Sequence, residues 1–225
     1  MIRIGAATPA QTPCIDILSD ELTSILGNSV EIIQSGALDW IPDDQLDAYA
    51  PNQGEPSLIT PLRDGSGTFR IAKERLFPQF QQSYDYLVEQ GAQMIVMFCT
   101  GIFPDTLHAK VPIIYPSKIL ASLVPALSPR SKIAVVEPDF FSKDREAAYW
   151  NGVVGEAIMT NVSPYGEFEE IAETARKLKD LDVDIIVLDC LGFTRRVKEI
   201  FVRETRKPVL LPRTIIARTV QNILD

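Results

Sequence analysis

Two cysteines in this 225-residue chain stand in matching places. Cys99 ends the run Met94-Ile-Val-Met-Phe-Cys-Thr-Gly101, and Cys190 ends Ile185-Ile-Val-Leu-Asp-Cys-Leu-Gly192. Each follows a continuous apolar stretch, and each is followed two residues later by a glycine. Thiols serve chemistry as thiolates, which act as bases or nucleophiles. Placed on opposite sides of one carbon, a thiolate could remove a proton from a carbon next to a carboxylate or carbonyl. The opposite thiol would then return a proton on the other face. With each sulfur ~3.5 Å from the reacting carbon, the pair would stand roughly 7 Å apart, too far for a disulfide. The developing enediolate needs no cofactor if backbone N–H groups and hydroxyls hold it.

Several other residues qualify for such a site. The amides of Gly101, Leu191 and Gly192 could approach a ligand closely, because glycine lets the backbone come near. Thr100 could offer a carboxylate both its hydroxyl and its N–H, or cap a following helix. Thr8 and Gln11 lie in the turn after the first strand, and Thr8 is read as a ligand hydroxyl. Ser117 follows the strand ending at Pro116, and Thr214 lies in the matching stretch. Thr12 is read as a helix cap. Asp189 should point to the opposite side from Cys190, since strand neighbours alternate. A structural hydrogen bond is expected of it. Glu137 roughly matches Thr8 and is a candidate cleft acid. Arg195 and Arg196 are read as solvent-exposed, His108 as a solvated helical residue, and Cys14 as structural.

The elements that must position these residues repeat. Gly91–Gly101 aligns without gaps with Asp182–Gly192, and a helical segment precedes each, over 73–90 and 167–181. Val111-Pro-Ile-Ile-Tyr-Pro-Ser-Lys-Ile-Leu120 shares its pattern with Lys207-Pro-Val-Leu-Leu-Pro-Arg-Thr-Ile-Ile216. Ser131–Pro138 opens the second half as Met1–Pro9 opens the first. Short apolar strands alternating with helices indicate parallel sheets covered on both faces. The fold class is therefore α/β. It is read as two similar lobes, each a short parallel sheet flanked by helices, related by a pseudo-twofold axis with a cleft between them. Residues 1–116 form the first lobe and 117–212 the second, and a C-terminal helix over about 213–225 packs back on the first. In open parallel sheets ligands bind beyond the carboxyl ends of the strands, where both cysteines fall. A helix starting just after each turn would aim its N-terminus there and favour a thiolate, at ~1.4 kcal/mol per pKa unit. In the first lobe a helix is expected from Pro13 to about Leu26, with Thr12 as cap and the stripe Ile15, Leu18, Leu22, Ile25 and Leu26. Residues 35–70 are irregular apart from a hairpin pairing Leu58–Leu62 with Thr68–Ile71 around Asp64–Gly67. Trp40, Tyr49 and the hairpin are read as a cleft cover or a subunit interface.

Composition excludes other classes. A net charge of −8 argues against binding a nucleic-acid backbone. No stretch of 18 apolar residues encodes a membrane span, and the N-terminus reads as a strand rather than a signal peptide. One histidine all but removes Ser-His-Asp chemistry, and three cysteines have neither metal nor disulfide-scaffold spacing. No metal and no cofactor is expected, and the partner is a small anionic metabolite. A cytoplasmic setting fits the reduced cysteines, and a homo-oligomer is allowed.

At this point the residues resemble a known family. Tyr49-Ala-Pro-Asn-Gln-Gly-Glu55, Thr60-Pro-Leu-Arg-Asp-Gly65, Tyr115-Pro-Ser-Lys-Ile-Leu120 and Leu188-Asp-Cys-Leu-Gly-Phe193 are similar to the AroM family. That family lies within the aspartate/glutamate/hydantoin racemase superfamily, whose members act without cofactors. The resemblance implies the two-lobed fold, while the catalytic role of Cys99 and Cys190 rests on their matched placement, since the AroM family has no settled reaction to carry over. Amino-acid racemases of the group often carry a polar residue or histidine just after the second cysteine, where Leu191-Gly192-Phe193 stands here. An acid to hold a substrate ammonium is not evident, which leaves a simpler carboxylate or a cyclic substrate open. Three readings remain: a two-thiol racemase or isomerase, a one-cysteine decarboxylase or cis–trans isomerase relying on Cys190, and a non-enzymatic binding protein that keeps the fold.

Overall fold

A computed structural model describes residues 1–14, 17, 20–27, 29–63, 67–127, 132–138 and 143–224. The chain divides into two compact units, Met1–Pro116 and Ser117–Asp225.

The first unit is built on β1 (Ile2–Thr8), α1 (Asp20–Leu26), β2 (Val30–Gly36), β3 (Ser57–Pro61), β4 (Thr68–Ala72), α2 (Phe77–Glu89), β5 (Met94–Met97) and β6 (Ile113–Ile114). Four of its strands form one parallel sheet in the order β2-β1-β5-β6. Helix α2 begins with Pro78 in its first turn, where the missing N–H costs nothing. Its buried residues Phe80, Ser83, Tyr84 and Leu87 recur at helical spacing, and three of them, with Ile95 and Met97 of β5, make the core on one face of the sheet. The anticipated hairpin is present as the antiparallel pair β3–β4, in register Ser57 to Ala72. Its expected tip at Asp64–Ser66 lies outside the described residues.

The second unit comprises α3 (Pro116–Leu127, whose first residue closes the first unit), β7 (Lys132–Glu137), α4 (Lys143–Val154), β8 (Glu156–Asn161), α5 (Phe168–Lys177), β9 (Ile185–Leu188), α6 (Arg195–Thr205), β10 (Val209–Leu210) and α7 (Pro212–Leu224). Its parallel sheet runs β8-β7-β9-β10, the same order as in the first unit. Alternation along the strands splits its core. Ala134, Val136, Ile186 and Leu188 pack against α5 and α6, while Ile133, Val135, Ile185 and Val187 pack against α3 and α4. Such unbroken apolar strands need cover on both faces, which is why the sequence alternates strand and helix.

Two expectations fail. The first helix starts at Asp20, not Pro13, and residues 11–14 and 17 are not helical; Ile15 and Leu18 of the anticipated stripe lie outside the described residues. Thr12 caps no helix at Pro13, because it is engaged elsewhere. Its N–H and hydroxyl donate to the two carboxylate oxygens of Asp39, at 2.8 and 2.6 Å. Second, no helix follows Cys99: residues 98–112 are turns and irregular chain. Pro104 and Pro112 interrupt helical hydrogen bonding there, and Phe103 and Leu107 are drawn into the core instead. His108 is accordingly exposed on a loop rather than on a helix.

Asp39 sits in a short 3-10 helix, Ala37–Trp40, and also accepts from the Gly36 amide at 2.8 Å. It thereby ties the loop after β1 to the end of β2. The approach is close enough that a Cβ on Gly36 would run into the Ala10 carbonyl oxygen. Gly36→Ala should therefore destabilise the chain by about 1–3 kcal/mol in urea unfolding. Gly152→Ala, within α4 and with nothing near the added carbon, should be neutral or stabilise by up to about 1 kcal/mol.

Candidate functional site

In the first unit the candidates gather where β1 and β5 end side by side. The Phe98 amide donates to the Ala7 carbonyl, at 2.6 Å, as the last hydrogen bond of that strand pair. Cys99 comes next. It is half-buried and packs beside Ile95 and Met97 against the α2 face of the sheet. Its Sγ lies 3.4 Å from the amide of Gly101, which donates to it. Thr100 is half-buried beside it, without a following helix to cap. Thr8 is buried at the end of β1, and its hydroxyl oxygen accepts the Ala10 amide at 3.2 Å. The Gln11 side chain donates to Asp43 at 2.9 Å.

The 35–70 segment is better ordered than its composition suggests. Trp40 donates through Nε1 to the Ser83 hydroxyl, and Gln79 donates to the Tyr49 hydroxyl, so both aromatics are fastened to α2. Leu58 of β3 reaches the Cys99 turn. Its Cδ2 and the Cys99 sulfur would both lie 3.4 Å from a Cβ on Gly101.

The second unit repeats this geometry. The Asp189 amide donates to the Val136 carbonyl, at 2.8 Å, in the place of the Phe98–Ala7 bond. Cys190 follows, half-buried against the α5–α6 face, and its Sγ accepts the Gly192 amide at 3.3 Å. Leu191 is buried, and its carbonyl accepts from Nε of Arg213 at 2.9 Å, a contact that fixes the turn from behind. A Cβ on Gly192 would meet the Tyr165 hydroxyl at 2.8 Å and Pro164 at 3.1 Å, so a side chain there would have to push Tyr165 aside and crowd Pro164. Here a helix does follow, with the Thr194 hydroxyl accepting the Val197 amide as the cap of α6. Ser117 is buried in the first turn of α3, and its carbonyl accepts from the Tyr149 hydroxyl at 3.4 Å. The Thr214 hydroxyl donates to the Leu211 carbonyl. Arg195 and Arg196 are exposed, the latter stacked 3.8 Å over the Phe168 ring. Among the described residues no group of three or more His, Cys, Asp or Glu could hold a metal ion.

Sequence reasoning did not find the groups behind the two turns. Tyr84 and Tyr115 bring their hydroxyls to 3.4 Å in the first unit. Arg213 and Tyr165 flank the Cys190 turn. Asp189 turns away from Cys190, as strand alternation requires, and accepts from Trp150 Nε1 at 2.9 Å on the α4 side. Glu137, at the end of the adjacent strand, hydrogen-bonds to it. Burial, then the neighbouring charge and hydrogen bond of Asp189, then Glu146, push the Glu137 carboxyl well above its usual range. Glu137 and Asp189 stand one residue past the last paired residues, Val136 and Leu188, as Thr8 and Phe98 stand past Ala7 and Met97, a placement that only the pairing of distant strands discloses.

The raised acid has a consequence for stability. Glu137 stays protonated in the folded chain at a pH where the unfolded chain has released that proton. The unfolded state then binds fewer protons, so stability falls as pH rises from the ordinary carboxylate pKa, about 4.5, toward the raised one. Urea unfolding between pH 5 and 7 should show this decline, by up to about 1.4 kcal/mol per pH unit. Glu137→Gln should flatten it.

Comparison with known proteins agrees with this architecture. No curated protein matches the chain. Several solved structures do, at low sequence identity. A glutamate racemase from Francisella tularensis in complex with D-glutamate is 18% identical with a TM-score of 0.65, over 99% of this chain and 81% of the racemase. A maleate cis-trans isomerase from Nocardia farcinica bound to TRIS is 16% identical with a TM-score of 0.67, over 100% of this chain and 93% of the isomerase. An allantoin racemase from Klebsiella pneumoniae is 15% identical with a TM-score of 0.62, over 100% and 88%. At these identities the likeness is one of fold. The family described as AroM protein matches residues 4–224. The chain belongs to the AroM family and has the fold of the aspartate/glutamate racemase superfamily.

Proposed function

We propose that this protein is a cofactor-independent racemase or isomerase in which Cys99 and Cys190 move protons at a carbon next to a carboxylate or carbonyl of a small anionic metabolite. The observation that carries the reading is the repeated sulfur geometry. Each thiol stands one residue past the last hydrogen bond of its strand pair, half-buried, with its Sγ accepting the amide two residues on. A hydrogen bond to sulfur favours the charged form, so both turns are suited to a thiolate.

In the proposed reaction one thiolate takes the proton from carbon, and the electron pair moves into the adjacent carboxylate or carbonyl. The amides of Thr100 and Leu191 and the hydroxyls of Thr8, Thr100 and Ser117 are the donors proposed to hold that oxyanion, while the Gly101 and Gly192 amides serve the sulfurs. The opposite thiol then returns a proton to the other face, which leaves the sulfurs in exchanged protonation states and inverts the centre. The names of the fold neighbours, glutamate racemase, maleate isomerase and allantoin racemase, support a small carboxylate or cyclic carbonyl compound as substrate. Three cysteines without a disulfide suit a cytoplasmic setting.

The test is exchange in deuterated water. Candidate carboxylates incubated with the full chain should take up deuterium at the stereocentre, and Cys99→Ser and Cys190→Ser should each slow uptake by about 10²–10⁴-fold. Unchanged uptake in both variants overturns the mechanism. Loss with Cys190→Ser alone, with release of carbon dioxide or a cis–trans product, assigns the one-thiol chemistry instead. A ligand that binds without exchange and is indifferent to thiol alkylation marks a binding protein.

A further inference from the structure

The two thiols share a backbone setting but not the groups that support them. Behind Cys99 stand two phenols. Tyr84 is fully buried on α2, and its hydroxyl donates to that of Tyr115, 3.4 Å away at the end of β6. Both Tyr115 and Cys99 pack against the core cluster to which Tyr84 belongs. Tyr84 holds the place in α2, relative to Cys99, that Ala175 of α5 holds relative to Cys190. Tyr115 stands between the last residue of β6 and Pro116, as Leu211 stands between β10 and Pro212. Ala175 and Leu211 are both buried in the apolar core of the second unit. The second unit thus builds the same shape without hydroxyls, so the fold does not require them.

From this contrast we propose that Tyr84 and Tyr115 form a hydrogen-bonded positioning pair that stabilises the thiolate of Cys99, making it the resting base while Cys190 rests as the acid. A tyrosine hydroxyl has one proton to donate. Tyr84 gives its own to Tyr115, which leaves the Tyr115 proton for a second acceptor and strengthens it as a donor. Burial, then the bond to Tyr115, then negative charge on Tyr115 and on Cys99, all push the Tyr84 hydroxyl's pKa up, so it remains a donor wherever a thiolate could form. The titratable groups shown to act at this place are Tyr84 from α2 and Tyr115 from the β6 end; the hairpin and the turn contribute Leu58 and Phe103, which do not titrate. At Cys190 the strand ends carry Asp189 beside a Glu137 that burial and Asp189 keep protonated, and the Asp189 charge opposes a second thiolate. The inference deepens the two-thiol reading and takes its meaning from it, while its test needs no substrate.

The experiment is alkylation of the full chain by iodoacetamide from pH 5 to 10, with Cys14, Cys99 and Cys190 followed separately by peptide mass spectrometry. Tyr84→Phe should move the Cys99 midpoint up by about one pH unit, an about tenfold loss of thiolate below the midpoint, and leave the Cys190 profile in place. An unmoved Cys99 profile, or one moved down, overturns the proposal, as does an equal shift at Cys190. Cys14 is buried and reports unfolding. If Tyr84→Phe exposes it, Tyr115→Phe, at a half-buried site, is judged by the same shift. Absence of deuterium exchange with a shifted Cys99 midpoint would end the racemase reading and keep this one. Exchange that needs both thiols, with an unmoved midpoint, would do the reverse.

Discussion

One backbone hydrogen bond in each unit fixes where its strand-end cysteine leaves the sheet. The amide just before each cysteine donates to the adjacent strand, Phe98 to Ala7 and Asp189 to Val136. Beyond that bond the strand pair ends, and the next side chain must leave the sheet at its carboxyl edge. The sulfur is therefore placed by parallel register rather than by its own contacts. Pairing of Ile4 with Met94, and of Ile133 with Ile185, starts each ladder three residues before its last pair. A slip of one residue would turn each thiol to the opposite face.

Because the backbone does the placing, the surroundings are free to differ. The first unit gives its strand ends Thr8 and Phe98, and the second gives them Glu137 and Asp189. One thiol turn is backed by phenols and touched by a leucine. The other is braced by a buried guanidinium and lies under a tyrosine and a proline. An apolar neighbourhood and an acidic one set different electrostatic conditions for the same atom. The main chains of the two turns match while their side chains do not.

The repeat, the strand ends and the hairpin were legible because each has a local signature. Apolar runs bounded by Gly and Pro fix the strands, and strand alternation alone told that Asp189 and Cys190 face apart. One failure was a tertiary override of a local signal. Thr12-Pro13 has the look of a helix start, yet the Asp39 carboxylate, 27 residues on in the chain, takes both Thr12 donors. The stretch after Cys99 carries Pro104 and Pro112, which lack the backbone donors a helix would use. Tyr84 escaped the sequence reading, because nothing in its own helix discloses that another hydroxyl arrives from the end of β6. The carboxyl pair depended on register between strands roughly fifty residues apart, which no single stretch of sequence displays.

The hairpin carries a last implication. A two-stranded ribbon has little stability of its own, so β3 and β4 stay folded largely through what they touch, including Leu58 at the Gly101 turn. Local opening of such a ribbon costs far less than global unfolding. A change in that ribbon is therefore felt at the Cys99 turn through Leu58, whereas the Cys190 turn is held by the Arg213 guanidinium on the Leu191 carbonyl.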